Sequence, residues 1–358
     1  MFSATDTSTR QFVSLGMFIV DEFEFRDAEG NLTGKTLPGQ VGSQASHPSI
    51  QLRGGTYAAI GARIWLPPQA VGMIIDRGYD FPPHIQAELD LYGPDMWLFR
   101  DDPGRGTTRA LNSYKGEFRD FEYLTPRVRI TPNDLANTKL ARPRVLHFIC
   151  SPTRASVILN EVKAQEAWHP TTVYEPIPYR CVPEQLPALQ QCLPDVSILS
   201  PNAEEAMALL GMPTVEPTKE LVEEACGRFL DMGIGPRGAG SVIIRCAHMG
   251  ACIGTQDAPY TWIPAFWTPN DAHKVVDVTG GGNSFLGGLG AGLVLSDGDV
   301  KEAVLYAMVS ASYIIEQEGL PRYTQVEDEG VVVEKWNDGS PQQRLQELQK
   351  RLVEEDTK

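Results

Sequence analysis

Nothing in the 358-residue chain marks a metal or disulfide scaffold. Its six cysteines (150, 181, 192, 226, 246 and 252) form no Cys-x-x-Cys pair, and most lie in apolar runs. Reduced core thiols of a cytosolic protein are the expectation. The six histidines stand singly, so imidazole-based metal chemistry has no support. No apolar run approaches the roughly 18 residues of a membrane span. The polar start, Met1 to Gln11, does not read as a secretory signal, which makes the Asn31-Leu32-Thr33 sequon meaningless and points to the cytoplasm. Positive charge is also short: 31 Lys and Arg against 46 Asp and Glu, a net charge of -15. Such a chain repels phosphate backbones, and no basic patch interrupts the trend, so nucleic acid is not the expected partner. No internal repeat is visible.

What is present is a core-forming composition, 42% hydrophobic and 22% charged, which excludes disorder as a description of the whole chain. Phe12 to Val20 reads as one short strand buried on both faces, stopping at Asp21-Glu22. Residues 22–50 look like a polar excursion. Helices are expected at Thr56–Trp65, after Gly54-Gly55, and at Pro83–Tyr92. Thr107 to Thr131 is strand-like, with arginines and aromatics interleaved, and reads as part of a small β-lid. Two roles for that lid stay open: packing against the main domain, or forming a homodimer seam.

Beyond residue 140, strands at 145–149, 172–174, 196–199 and 241–246 alternate with helices at 155–168, 183–191, 202–210 and 219–232. Two further helices are expected near 283–295 and 299–317. Gly211 and Gly233 close two of these helices, and Ser340-Pro341 opens a last one. This alternation predicts a doubly covered, mainly parallel sheet.

Two motifs mislead. Gly30-Asn31-Leu32-Thr33-Gly34-Lys35-Thr36 has three residues between its glycines where a P-loop needs four, and no buried strand leads into it; a polar hairpin tip fits better. Gly233-Ile234-Gly235-Pro236-Arg237-Gly238 is a literal G-x-G-x-x-G. Its order, however, is helix, glycines, strand, the reverse of a dinucleotide site.

The informative stretch is Lys274-Val275-Val276-Asp277-Val278-Thr279-Gly280-Gly281-Gly282-Asn283-Ser284-Phe285. An apolar, strand-like lead ends in Asp; three glycines then open a helix. Such a run is costly in chain entropy unless backbone must approach something closely. A helix N-terminus with free N–H groups suits a phosphate or an oxyanion; a tight structural turn is the alternative.

This segment resembles the Asp-x-Thr/Ser-Gly-Ala-Gly-Asp stretch of the ribokinase-like (PfkB) carbohydrate and nucleoside kinases. Gly16 followed by Ile19-Val20-Asp21 resembles that family's first strand with its substrate-binding Asp. Gly54-Gly55 resembles the first family signature. Ser200-Pro201-Asn202-Ala203-Glu204-Glu205 matches the Asn-x-x-Glu motif, and Val242 to Arg245 looks like the strand before the nucleotide loop.

The resemblance implies a three-layer α/β/α ribokinase-like fold with a mainly parallel sheet and a β-sheet lid. It spans 1–330, with lid segments within about 22–50 and 105–131, and leaves 331–358 as a C-terminal extension and helix. It implies ATP as phosphoryl donor with Mg2+. The N–H groups of Gly280, Gly281 and Gly282 would form the anion hole. Asn202 and Glu205 would reach the magnesium–phosphate assembly, with Glu205 toward the metal. Arg245, Asp277 and Thr279 would lie at the nucleotide, although an edge-of-sheet structural salt bridge also accounts for Arg245. Asp21, Gly54, Gly55 and, in the lid, Arg109 are the candidate substrate contacts.

The chain departs from the family pattern where chemistry is expected. Asn283 stands where the family has its catalytic Asp, Ala59 where it has a substrate-contacting Asn, and Ala247 where Gly is usual. An amide cannot take a hydroxyl proton at neutral pH, and losing a positioned base costs roughly 10²–10⁴ in rate. The Gly-Gly-Gly-Asn form resembles a divergent fungal branch. Three readings stand. The protein is a phosphotransferase toward a small hydroxylated metabolite, it acts on an acceptor already ionised, or it is a pseudokinase that binds nucleotide without turnover.

Overall fold

The computed structural model describes residues 10–27, 29, 31–33, 51–115, 118–328 and 330–356. The N-terminal part runs β1 (Phe12–Ser14), β2 (Phe18–Arg26), β3 (Gln51–Gly54), α1 (Gly55–Arg63), β4 (Val71–Gly78), α2 (Pro83–Leu91) and β5 (Trp97–Asp102). Next come β6 (Arg109–Lys115), β7 (Phe118–Tyr123), α3 (Pro132–Leu135), β8 (Val145–Cys150), α4 (Pro152–Lys163), β9 (Thr171–Pro176) and α5 (Leu186–Cys192). The chain continues through β10 (Ile198–Leu199), α6 (Ala203–Leu209), α7 (Lys219–Leu230), β11 (Ser241–Arg245), β12 (Ala251–Thr255) and β13 (Ala258–Ile263). It ends with α8 (Gly281–Leu295), α9 (Val300–Ile314), β14 (Tyr323–Asp328), β15 (Val331–Trp336) and α10 (Pro341–Asp356).

Nine strands form the main sheet in the order β13-β12-β11-β10-β9-β8-β1-β4-β5. All pairs are parallel except those that β12 makes with its two neighbours. Each apolar strand feeds two cores, because successive side chains leave opposite faces. Phe12, Val145, Val173 and Ile243 join one core with Tyr57, Phe285, Leu289 and Val304. Val13, Leu146, Tyr174 and Ile244 join the other with Ile158, Phe229 and Met207. Helices α1, α8, α9 and α10 therefore cover one face, and α4 to α7 the other. The result is the three-layer α/β/α arrangement, and the six cysteines are free and buried.

A second sheet, β3-β2-β6-β7, forms the lid. Here the single strand expected over Phe12–Val20 needs correcting. The chain leaves the main sheet after Ser14 and re-forms at Phe18 as lid strand β2, which runs past Asp21-Glu22 to Arg26. The crossing works because Gly16 and Gly55 meet without side chains: a Cβ on Gly16 would stand 2.5 Å from Gly55 Cα. Residues 127–131, expected as strand, pair with nothing in the two sheets. The described part of the 30–36 motif does fold back as a turn, Leu32 bridging to Arg26; the rest of that motif lies outside the described residues.

Residue 330, where the main domain was expected to end, lies at the tip of the β14–β15 hairpin. That hairpin is anchored in the first core by the buried Trp336 and by Arg63, which pairs with Glu334 at 2.6 Å. Leu345 and Leu348 of α10 bury in the same core.

Candidate functional site

Ligands of open α/β sheets settle beyond the carboxyl ends of the strands, and here those ends carry the charged residues. The turn before α8 comes first. Gly280 adopts φ 80°, ψ -9°, the left-handed conformation that favours glycine, and forms the N-cap of α8. Glycine is also required by space, since a Cβ there would stand 2.4 Å from the ring of Tyr57. Asp277 caps the turn by accepting from the Thr279 N–H at 2.9 Å. The Gly281 N–H donates to Val278 O at 3.2 Å. Gly282 and Asn283 belong to the first helical turn, where N–H groups have no intrahelical acceptor.

The lead into this turn differs from expectation. Val275 to Val278 is not a buried strand; Val276 and Val278 are exposed. The segment is held instead by backbone bonds from Val276 and Asp277 to Ile315 O.

Arg245, at the end of β11, lies directly against this turn: a Cβ on Gly282 would stand 2.3 Å from its Nη1. Its Nη2 donates to Glu175 Oε1 at 2.7 Å and to Ser200 O at 3.3 Å, and Glu205 Oε2 lies 3.5 Å away. Because β11 sits inside the sheet between β10 and β12, this is an interior ion-pair network rather than an edge salt bridge. Glu175, near the end of β9, is its hub. It accepts from Asn283 Nδ2 at 3.0 Å and faces His147 Nε2 at 3.8 Å, while His147 Nδ1 shares a 3.0 Å hydrogen bond with Ser14 Oγ.

Asn202 and Glu205 form a capping box at the start of α6. Asn202 Oδ1 accepts from the Glu205 N–H at 2.7 Å, and Glu205 Oε2 accepts from the Asn202 N–H at 2.8 Å. The carboxylate is buried rather than solvated.

The two carboxylates respond oppositely to burial. Burial alone would raise the Glu175 pKa, but Arg245, with help from His147, holds it below the usual carboxylate range. Glu205 lies farther from the guanidinium, and burial pushes it up to about 7 against the pull of Arg245, with Glu175 adding to the rise.

The expected substrate residues lie on the lid side. Gly54 lines a cavity of about 170 Å³ enclosed by Met17 and Ile19 at the start of the lid and by Phe148 to Ser151 at the end of β8. Asp21 is fully buried and shares a strand face with Ile19. Gly55 donates its N–H to Met17 O at 3.1 Å, tying lid to helix. Arg109 joins the lid to the turn after β4, donating to Asp80 Oδ2 at 2.8 Å, and within the lid donates to Glu22 Oε1 at 2.9 Å. Ala59, in the middle of α1, is fully buried.

Glu175, His147 and Ser14 escaped the sequence reading. Their only signal was a polar group set in or just after an otherwise apolar run, as in Thr-Thr-Val-Tyr-Glu-Pro. The cluster with Arg245 and Asn283 appears only when the strands are aligned.

A mainly parallel sheet between two helical layers, a β-lid over its carboxyl edge and a glycine turn opening a helix are the features of the ribokinase-like fold. A comparison with solved structures agrees: an Arabidopsis thaliana ribokinase, in a structure complexed with ribose and ATP, superposes with TM-score 0.60 at 18% identity, covering 87% of this chain and 94% of that one. At that identity the likeness shows the fold. The pfkB family carbohydrate kinase pattern matches residues 139–323, more than half of the chain, and the protein belongs to that family. An uncharacterized Schizosaccharomyces pombe protein is 34% identical over 96% of this chain and 94% of its own. Protein MAK32 of Saccharomyces cerevisiae is 33% identical over 89% of this chain and 88% of its own.

Proposed function

We propose that the protein is an ATP-dependent phosphotransferase acting on a small hydroxylated metabolite, related to its fungal relatives as one branch of the family. The observation that carries this is the Gly280–Asn283 turn. It presents first-turn N–H groups beside a buried guanidinium whose Nη1 faces Gly282, and the Nε of Arg245 is buried with no hydrogen-bond partner. This donor set fits the phosphates of a nucleotide. Phosphoryl transfer depends on positioning and charge stabilisation, which such a turn supplies.

Among the described residues, no group of three or more His, Cys, Asp or Glu could hold a metal ion. Mg2+ commonly keeps its waters and binds through one or two carboxylates plus substrate phosphates. Glu205 fits that partial role, with Asn202 beside it: a cation near its buried carboxyl would favour the charged form that burial opposes. When bound, Mg2+ would supply neutralisation of phosphate charge.

Asn283 has a defined orientation. An ionised Glu175 can only accept, so the amide nitrogen faces it and Oδ1 is left to face the site. Asn283 can thus accept a hydrogen bond from a substrate hydroxyl and orient it, without removing its proton. That same feature supports a second reading, a nucleotide-binding protein without turnover. ADP release from MgATP over a panel of sugars, nucleosides and vitamins tests both. Turnover by the natural protein on any acceptor supports the phosphotransferase, whereas turnover by Asn283→Asp alone supports binding as the function. A melting shift with MgADP that Gly282→Val leaves unchanged would sink the site assignment.

A further inference from the structure

The cavity beneath the lid joins an apolar floor to three arginines that, among the described residues, form no ion pair with an acid. Leu15, Met17, Ile130 and Phe148 contribute to its floor, and Arg127, Arg129 and Arg154 to its rim. In a chain of net charge -15, acids are plentiful, and other arginines find them: Arg63 pairs with Glu334, Arg77 with Asp101, Arg100 with Asp76 and Asp134, Arg344 with Glu316. Among the described residues, no Asp or Glu forms an ion pair with any of the three arginines at this rim. Cys150, on the cavity wall, stays a neutral thiol because burial raises its pKa far more than Arg154 lowers it.

Two of these side chains are held in place. Arg127 donates to Tyr179 Oη at 2.8 Å and lies 5.0 Å over the Tyr123 ring. Arg154 reaches the Arg129 carbonyl at 3.4 Å, which brings the two segments that carry the arginines together. Arg154 also stands in the first turn of α4, whose N-cap Ser151 lines the same cavity, so the positive end of that helix adds to the potential. Like charges gathered at one rim repel each other, a cost that a bound anion reduces.

Resting on the phosphotransferase reading above, we infer that this cavity takes an acceptor bearing a compact anionic group, a phosphate monoester or a carboxylate, and that Arg127, Arg129 and Arg154 bind that group. The volume of about 170 Å³ suits a small metabolite, and the apolar floor accommodates its carbon skeleton. Guanidinium forks match both oxyanions bidentately, so the shared chemistry is a planar or tetrahedral oxyanion on a small polar body.

Calorimetric titration of the full-length protein with matched ligands tests this: D-ribose against D-ribose 5-phosphate, and D-glucose against D-gluconate. The expected result is that at least one anionic member binds tenfold or more tightly than its neutral partner, and the preferred pair tells phosphate from carboxylate. The double variant Arg129→Ala/Arg154→Ala should erase the preference while its MgADP melting shift shows an intact fold and nucleotide site. Equal binding of neutral and anionic members, no binding of either anion at millimolar concentration, or a preference that survives in the double variant would each overturn the inference. A preference without any MgADP shift would instead reject the nucleotide reading and leave the anion site standing.

Discussion

Arg245 has one carboxylate at 2.7 Å and another at 3.5 Å, and it is almost sealed from solvent. Arg127, Arg129 and Arg154, at the same carboxyl rim of the sheet, form no ion pair with an acid among the described residues; the first two are exposed and the third is half-buried. The first arrangement fixes geometry. Glu175 holds the guanidinium against the α8 turn and turns the Asn283 amide, so the paired charges act as internal scaffolding. The second leaves positive potential unspent in a cavity, which has structural value only when something enters. Paired and unpaired arginines thus mark two kinds of function within one rim.

The largest effect should come from breaking the paired set. Glu175→Ala leaves a buried guanidinium with only its more distant acid, and removal of one partner of a buried pair costs about 3–5 kcal/mol. Urea unfolding should show a loss of that order, and a loss below about 1 kcal/mol would mean that Glu205 and Ser200 O suffice for Arg245. Next comes Glu205→Gln. The raised pKa of Glu205, about 7 in the folded protein, means that the native state of the parent binds a proton more tightly than the unfolded chain does. Its stability therefore falls as pH rises from the ordinary carboxylate range toward 7. The variant escapes that penalty, so its stability relative to the parent should improve by roughly 1–3 kcal/mol between pH 5 and pH 8. A pH-independent difference would contradict the burial argument.

Asn283→Asp sharpens the contrast further, because it sets a second carboxylate about where the Asn283 amide meets Glu175 at 3.0 Å. One of the two must then hold a proton, and stability should drop on going from pH 5 to pH 8 by about 1–2 kcal/mol. Adding Glu175→Gln should remove that pH dependence, as followed by thermal melts across the range. The smallest effect belongs to the unpaired set: Arg129→Ala or Arg154→Ala should leave folding stability within about 0.5 kcal/mol, as for surface positions. A larger loss would make them structural and dissolve the distinction.

How far these features could be read from the sequence depended on the range of the interactions. The strand–helix alternation after residue 140 is written in local apolar runs such as Val145–Ile149 and Ser241–Cys246, and the doubly covered parallel sheet followed from it, whereas the three-layer fold with its lid came from the family resemblance. The glycine turn announced itself by composition alone. The break in Phe12–Val20 did not, because what interrupts that strand is the contact of Gly16 with Gly55, distant in sequence. The Glu175 cluster was hidden for a related reason. Glu175 lies opposite Ile149 in the β8–β9 register, and nothing within either strand tells which charged end will meet Arg245 or Asn283. Arg109, which stood out among the lid arginines, is engaged with Asp80 and Glu22, while the arginines at 127, 129 and 154 gained meaning only once the cavity was seen.

The meeting of Gly16 and Gly55 has a mechanical side. Lid strand β3 passes straight into α1 with no intervening residue, and two residues into that helix the Tyr57 ring presses on Gly280. The path from the lid to the glycine turn is therefore short: one strand end, two bare glycine backbones and one aromatic ring. A larger side chain at either Gly16 or Gly55 would have to push the β3–α1 junction aside, and with it the ring that bounds Gly280.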